Sequence, residues 1–555
     1  SVQILGTTSY LASLKEREEL DAILPDLLSQ MGLNVFSKPH RGQKESGVDV
    51  AAYGKIEDNE NGVYLFSIKA GDITRTTWDG DTEQALRSSL NEIKDDYIPH
   101  RMPQKYRTEK VVICLCFGGD IQTNVRSSIS GYISENTRDN ISFEEWNGDK
   151  LAQLIAEHFL REELFAPNLR SLFRKSLSLI DEPEVSFENY KKLITNLYGS
   201  CRGSKERLKT LRQFNLCLWA LFVWCREADN LESAYLSAEL TLLMGWELSK
   251  SSFHEKKKVD KDIVNTYKAI FNAYCIISDG FINKVVMPHS QKLYYLSYGI
   301  NSSNDVDVNL KLFDLLGRIA VNGAFFYYAY KQENDEQLLQ LYQIHCAALV
   351  SLIKNNPLLY NPYKDEQAID ISLALWLLNQ DSQWSDFIKE WLGHMLGRSI
   401  FNYRRHGKYP GNLTSYHDLI RHPFEKTKEY RKEVTGGSIL YPMISMSATL
   451  NDFDEIYSEI KNFKETELPH CNFQLWYPDK DSEACYYTNS DMHGRVLCDV
   501  GVNLSKDKML EQIFNECTAT NDFEELSAIK NGFWPLLFVA SRHYRIPLPV
   551  HFFKK

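Results

Sequence analysis

The chain has 555 residues, with 63 Lys and Arg against 74 Asp and Glu and a formal net charge of −11. Hydrophobic residues make up 43% and charged residues 25%, which excludes fibrous and disordered chains, while the acidic balance excludes a uniformly basic nucleic-acid coat and confines any nucleic-acid contact to a local patch. Aromatics at 12%, with only 28 Gly and 17 Pro, favour helices and large cores, and at roughly 150 residues per domain the length implies three or four domains. Apolar residues at 20, 23, 24, 27, 28 and 31 predict an amphipathic helix over 14–31, ended by Gly32. Short β-type segments follow at 33–36, 48–53 and 63–69, then a helix at 82–98. The run 111–117 (VVICLCF) reads as a buried strand stopped by Gly118-Gly119, followed by a helix at 122–134, a strand at 141–146, a turn at Asn147-Gly148-Asp149 and a helix at 150–159. This alternation predicts an α/β module built around one sheet.

Residues 176–186 (SLSLIDEPEVS), with acidic side chains and Pro183, read as a hinge. From 187 to about 431 helical periodicity dominates, as at 208–225, 234–248, 262–275, 336–353 and 369–378. No fixed repeat period is present, so the expectation is a large, mostly α-helical region forming an irregular helical array or a solenoid-like stack. From 436 the pattern is mixed: 437–450 and 484–500 change character, the latter resembling a hairpin across 489–494, and helices resume at 506–517 and 522–530. The expected domains are 1–175 (α/β), 176–187 (hinge), 188–431 (helical sensor or scaffold) and 432–555 (mixed, mostly helical). The strongest apolar run, 215–225, falls well below the ~20 residues of a spanning helix, so no membrane partner is expected. With no secretory signal at the start and 11 cysteines lacking any C-x-x-C pair, a cytoplasmic protein with reduced thiols is expected.

The chemistry-bearing stretch is 47–72, GVDVAAYGKIEDNENGVYLFSIKAGD. Two β segments flank a polar, Gly-bounded turn at 54–62, which predicts a hairpin with a long loop. If Tyr53 pairs with Val63, Asp49 lies opposite Ser67, and Lys69 shares that face two residues on. That face then carries Ala51 and Leu65 and ends in Asp49, Ser67 and Lys69, while Val48, Val50, Tyr64, Phe66 and Ile68 are left for the core. Cations cluster before Asp49 (Lys38, His40, Arg41, Lys44) and after Lys69 (Arg75, Arg87), suited to a nucleic-acid backbone, and Trp78 is placed to stack on a base.

An acidic helix, then Asp, then a strand ending in x-x-Lys resembles the PD-(D/E)XK nuclease superfamily, particularly its Mrr-like restriction-endonuclease branch. Leu20-Asp21-Ala22-Ile23-Leu24-Pro25-Asp26-Leu27-Leu28 and Gly32-Leu33-Asn34-Val35 fit the family's helix-to-strand spacing, Gly47-Val48-Asp49-Val50 looks like its Gly-Val-Asp segment, and Ser67-Ile68-Lys69 sits where it has Glu-x-Lys or Gln-x-Lys. Trp146-Asn147-Gly148-Asp149-Lys150-Leu151 looks like its Asp-Gly-x-x-Leu turn. Over residues 14–160 the resemblance implies a restriction-endonuclease-like α/β domain and a Mg²⁺-dependent (or Mn²⁺-dependent) endonuclease acting on nucleic acid, DNA favoured over RNA. It implies Asp49 as central metal ligand and catalytic residue, Asp21 or Glu18 as a second ligand, and Lys69 orienting the attacking water or stabilising developing charge. Ser67 departs from the pattern, a neutral hydroxyl where a carboxylate or amide is usual, and Asp72 is available as a displaced carboxylate.

Nuclease domains fused to long helical regions resemble bacterial antiphage defence effectors, which makes a regulated effector, with oligomer or partner contacts through the helices, the expected setting. The alternative is a weak or inactive nuclease fold that binds nucleic acid and recruits partners. No G-x-x-x-x-G-K-[ST] run is present, so any nucleotide-driven step needs another protein.

Overall fold

In the computed structural model the described residues are 19–38, 45–57, 59–82, 84–159, 166–292, 294, 296, 304–489 and 494–554, with the backbone alone described for 19–22, 152, 156 and 159. Helix α1 (Glu19–Gln30) stops where Gly32 takes a left-handed φ of +91° and turns the chain into β1 (Asn34–Ser37). β2 (Val50–Gly54) and β3 (Gly62–Lys69) form the expected hairpin in the expected register, with Tyr53 opposite Val63. β4 (Val111–Phe117) and β5 (Ile141–Trp146) complete a five-stranded mixed sheet in the order β1-β2-β3-β4-β5, antiparallel through β3 and parallel from β3 to β5.

A parallel pair needs a crossover. The 82–98 helix expected there is shorter and divided: α2 (Arg75–Asp79), α3 (Leu86–Glu92), then wider π-type turns over Ile93–Arg101 that contain Pro99. A proline has no N–H for the α-helical ladder, and the wider turns accommodate it. α4 (Thr123–Asn136) crosses from β4 to β5, and α5 (Gly148–Phe159) follows β5.

Both faces of the sheet are covered. Ala51, Val63, Leu65, Ile113 and Leu115 bury one face against Trp78, Leu90, Ile93, Ile129 and Tyr132 of the crossover helices. Val50, Ala52, Tyr64 and Phe66 are equally buried on the other face, where α1 packs on β1 and β2, and Phe66 meets Trp146 edge-on at 5.0 Å. The expectation of a single core face on the hairpin is thus corrected, and Val48 belongs with Ala51 and Leu65 rather than with Val50. Strands buried on both faces read as near-continuous apolar runs, as GVYLFSI does.

α6 (Pro167–Ser178) and α7 (Pro183–Gly199) form a helical hairpin, and α8 (Gly203–Glu227) packs against α1, α5, α6, α7 and α9 (Glu232–Ser249). Residues 176–187, expected as a hinge, are the packed turn of that hairpin. Ser186 Oγ donates to the buried Ser176 carbonyl at 2.6 Å, and Pro183 opens α7, where a missing N–H breaks no helical bond. The described residues up to Ser278 form one compact unit, and those from Asp279 on form another.

The second unit is largely helical. Its central helix, α10 (Asp305–Glu333), packs against α11 (Glu336–Asn355), α12 (Ala368–Leu378) and α13 (Pro535–Tyr544). The expected hairpin at 484–500 is instead a short helix (Ser482–Tyr487) followed by a strand (Arg495–Leu497) that pairs with Leu475–Tyr477. Asp314 pairs with Arg318 and Arg542 at 2.9 and 2.8 Å, and Asp370 with Arg545 at 2.9 Å, so the buried Arg318, Arg542 and Asp370 each have a partner. Among the described residues no helix is long and apolar enough to cross a membrane.

Candidate active site at the carboxyl ends of the sheet

β3, β4 and β5 run parallel and end together at Lys69, Phe117 and Trp146. β2 runs against β3, so Asp49, just before β2, comes to the same edge. The carboxyl edge of parallel strands is where open α/β sheets place ligands, because the loops there diverge from a rigid platform. Asp49 N–H donates to the Phe66 carbonyl at 2.8 Å, and the next outward N–H of β3, that of Ile68, donates to Asp49 Oδ2 at 2.7 Å. The carboxylate therefore ends the β2–β3 ladder and is held one residue from Lys69. Lys69 is half-buried as a residue, and its ammonium donates to the Gln84 carbonyl.

Gly47 fixes how the chain reaches Asp49. Its φ is +86°, and a Cβ there would lie 2.2 Å from the Ser89 carbonyl oxygen of α3. The glycine of the Gly-Val-Asp segment is thus required by a left-handed turn pressed against a helix. Gly47→Ala is expected to cost about 2–4 kcal/mol, the left-handed penalty plus displacement of α3, measured by urea unfolding. A loss below about 0.5 kcal/mol would show that the turn yields easily.

The remaining expected residues separate. Ser67 is on the same strand as Lys69 but is fully buried. Asp72 is exposed, and its Oδ1 accepts the Asp120 N–H at 2.8 Å, beside the Gly119 N–H to Gly71 O and Ile73 N–H to Asp120 O bonds. That oxygen clasps the loops after β3 and β4 together. Trp78 is buried at 3% exposure and meets Tyr132 edge-on at 5.4 Å. It is a packing residue, not a platform for a base. Lys38 and Arg75 are exposed, and Arg87 pairs with Asp79 at 3.0 Å. Asp21 lies on α1 with only its backbone described, and Glu18, His40, Arg41 and Lys44 lie outside the described residues.

The Trp146–Leu151 motif is a cap. Asn147 Oδ1 accepts the Lys150 N–H at 2.8 Å and starts α5, and Gly148 lies against the Gly118 carbonyl. Sequence reading missed what meets this turn. Glu227, at the end of α8, hydrogen-bonds Asp149, and that bond, reinforced by desolvation and the Asp149 charge, pushes Glu227 up to about 7. A carboxyl that titrates near neutrality at the sheet's carboxyl edge is suited to proton transfer.

A second missed residue is Asp26, buried on the apolar face of α1. Arg212 Nε of α8 lies 3.6 Å from its carboxylate, and Asn215 donates to it at 3.2 Å. Its signal was in the sequence, an acid inside the 23-24-27-28 stripe. Burial outweighs the Arg212 attraction and lifts its pKa from 3.8 to about 6. The folded state therefore keeps this proton between about pH 4 and 6, where the unfolded chain has lost it, and stability falls as pH rises through that window. Asn mimics the protonated acid, so Asp26→Asn is expected to stabilise the protein by roughly 2–3 kcal/mol above pH 7 and by little near pH 4. Urea unfolding at both pH values checks this, and an equal effect at both would contradict it.

Mg²⁺ takes one or two carboxylates, completing its shell with water and phosphate. Asp49 suits that donor set, with Oδ2 fixed by Ile68. The expected second carboxylate is Asp21, on α1, or Glu18, outside the described residues. Among the described residues no three His, Cys, Asp or Glu side chains gather as a metal-binding group. No protein-family model, curated protein or solved structure matches the chain.

Proposed function

We propose that the N-terminal α/β unit is a metal-dependent nuclease of the PD-(D/E)XK, Mrr-like kind, acting on nucleic acid and preferentially DNA. The observation that carries this reading is the Ile68 N–H to Asp49 Oδ2 bond at 2.7 Å, which fixes a carboxylate one residue from Lys69 at the carboxyl edge of the sheet. A divalent ion bound there supplies charge neutralisation at the phosphate and a lowered pKa for the attacking water. Asp49 would hold that ion, with Asp21 or Glu18 as second ligand. Lys69 would carry its positive charge to the developing oxyanion, released from or shared with the Gln84 carbonyl. Exposed Lys38 and Arg75 would contact the phosphate backbone and make binding salt-sensitive. A regulated antiphage effector, in which the helical region governs the nuclease, is the setting this architecture suits.

The test is incubation of the purified chain with plasmid, linear and single-stranded DNA, and with RNA, in Mg²⁺ or Mn²⁺. Metal-dependent cleavage lost in Asp49→Ala and in Lys69→Ala is the expected result, and equal cleavage by the double variant would falsify it. A second reading is favoured by Ser67, whose neutral hydroxyl is fully buried where the family carries a carboxylate or amide: a fold that binds nucleic acid without turnover. Salt-sensitive binding with no cleavage under either metal would select it.

A further inference from the structure

Two cationic segments meet at the start of α8. Residues 202–209 and 250–261 hold nine Lys and Arg against three Asp and Glu, in a chain whose net charge is −11. Arg207 of α8 joins them, its Nη1 donating to the Leu248 carbonyl at 2.9 Å and to Ser251 Oγ at 3.0 Å. The second segment is held firm where it enters the helix Lys258–Phe281. Phe253 packs against Trp246 and Tyr267, with ring centres 5.2 and 6.1 Å away, and Ser252 Oγ donates to the buried Asp260 at 2.8 Å. The cations are thus carried on packed elements.

Six of these cations, Lys205, Lys209, Lys256, Lys257, Lys258 and Lys261, are exposed. Among the described residues none of the six has a carboxylate within ion-pair distance, whereas Lys250 pairs with Glu247 at 2.8 Å. Like charges gathered without counter-charges repel one another, and an anionic partner relieves that repulsion. Among the described residues no large apolar side chain is exposed in either segment. A membrane surface, which takes apolar side chains as well as cations, therefore fits less well than a polyanion in water.

The patch continues to the sheet. Arg212 of α8 lies beside Asp26 of α1, which packs on β1 and β2, and Glu227 at the other end of α8 meets Asp149 after β5. The helix is ~22 Å long between Arg212 and Glu227, and β1 and β5 lie ~19 Å apart. α8 therefore crosses the sheet, and its first turns, with Lys205 and Lys209, extend past β1. Lys38 follows β1 at the carboxyl edge, because β1 runs in the same direction as β3, and Ser37 stands opposite Ala51, close to Asp49. Lys38 and Asp262, the neighbour of Lys261, both lie near enough for their charges to act on Asp26. We propose that this surface, from Lys261 and Lys209 to Lys38, is a second grip on nucleic acid, holding the phosphate backbone beside the candidate active site. The choice of nucleic acid over another polyanion rests on the nuclease reading, since one unit carries both features.

Fluorescence anisotropy of the full chain with a labelled DNA duplex of about 40 base pairs, in chelator and across about 0.05–0.3 M NaCl, tests the patch. Binding is expected to weaken steeply with salt. The combined variant Lys256→Gln, Lys257→Gln, Lys258→Gln and Lys261→Gln should bind roughly tenfold to a hundredfold more weakly at the lowest salt. It should also flatten the log–log salt slope by roughly two to four, about one per lost phosphate contact. Lys205→Gln with Lys209→Gln, on the other segment, should flatten the slope by roughly one to two. Thermal melting confirms that each variant folds, and the two variants probe the patch independently. Poly-glutamate and phosphatidylserine vesicles are the rival anions and should displace the duplex poorly. The inference is overturned by parent affinity and slope in both variants, or by either rival displacing the duplex as well as unlabelled DNA does. Chelator keeps cleavage out of the readout, so the two readings fail separately. Patch-dependent binding by a chain that never cleaves strikes only the nuclease reading, and cleavage with patch-independent binding strikes only this one.

Discussion

Asp49→Asn is expected to lower metal-dependent cleavage by about three orders of magnitude or more, while changing stability by less than about 1 kcal/mol. This side chain has two duties. One oxygen accepts the Ile68 N–H and closes the end of the β2–β3 ladder. The carboxylate charge is what a divalent ion would need. Asparagine keeps an acceptor oxygen for Ile68 and loses the charge, so it separates the duties, whereas alanine removes both and costs a further ~1 kcal/mol for the lost hydrogen bond. Single-turnover cleavage under Mn²⁺ and urea unfolding, run on all three proteins, give the comparison. An asparagine variant that cleaves within tenfold of the parent would remove Asp49 from the chemistry and leave it the ladder-closing role alone.

The hairpin was legible because its information is local. A polar, Gly-bounded loop between two β-type runs sets the pairing, and Tyr53 does face Val63. The same holds for β4 and β5, whose apolar runs fall at their expected bounds. What escaped sequence reading depends on partners distant in the chain. Trp78 looks like a base-stacking residue beside Arg75 until α4 brings Tyr132 onto it. Asp72 looks available until the loop after β4 offers it the Asp120 N–H. Asp26 and Glu227 acquire their shifted acidities only because α8 packs against α1 and α5, and no periodicity within α1 or α8 encodes that meeting. The hinge expected at 176–187 failed for a related reason. Proline and acidic residues mark a helix start as readily as a linker, and only the burial of Ser186 against Ser176 separates the two.

Ser67 decides how far the nuclease reading extends, and Ser67→Glu is the substitution that interrogates it. The position is fully buried, paired with Leu115 of β4 and two residues from Lys69 on one face of the strand. Introducing a longer acid there overfills a packed face at a cost of about 1–3 kcal/mol, and an ionised carboxylate taken out of water adds several more unless it is paired. The expected loss is therefore about 4–6 kcal/mol in urea unfolding at neutral pH without divalent ions. If the edge formed by Asp49 and Lys69 is a metal site, the added carboxylate sits where a cation compensates it. Saturating Mn²⁺ should then restore more stability to the variant than it adds to the parent, by roughly 2–3 kcal/mol where the added carboxylate tightens binding about one hundredfold. Ser67→Gln supplies the size control, having nearly the same volume and no charge, and should show no such gain. Equal responses of the glutamate and glutamine variants to Mn²⁺ would place the buried hydroxyl outside any cation site and leave the strand end a purely structural one.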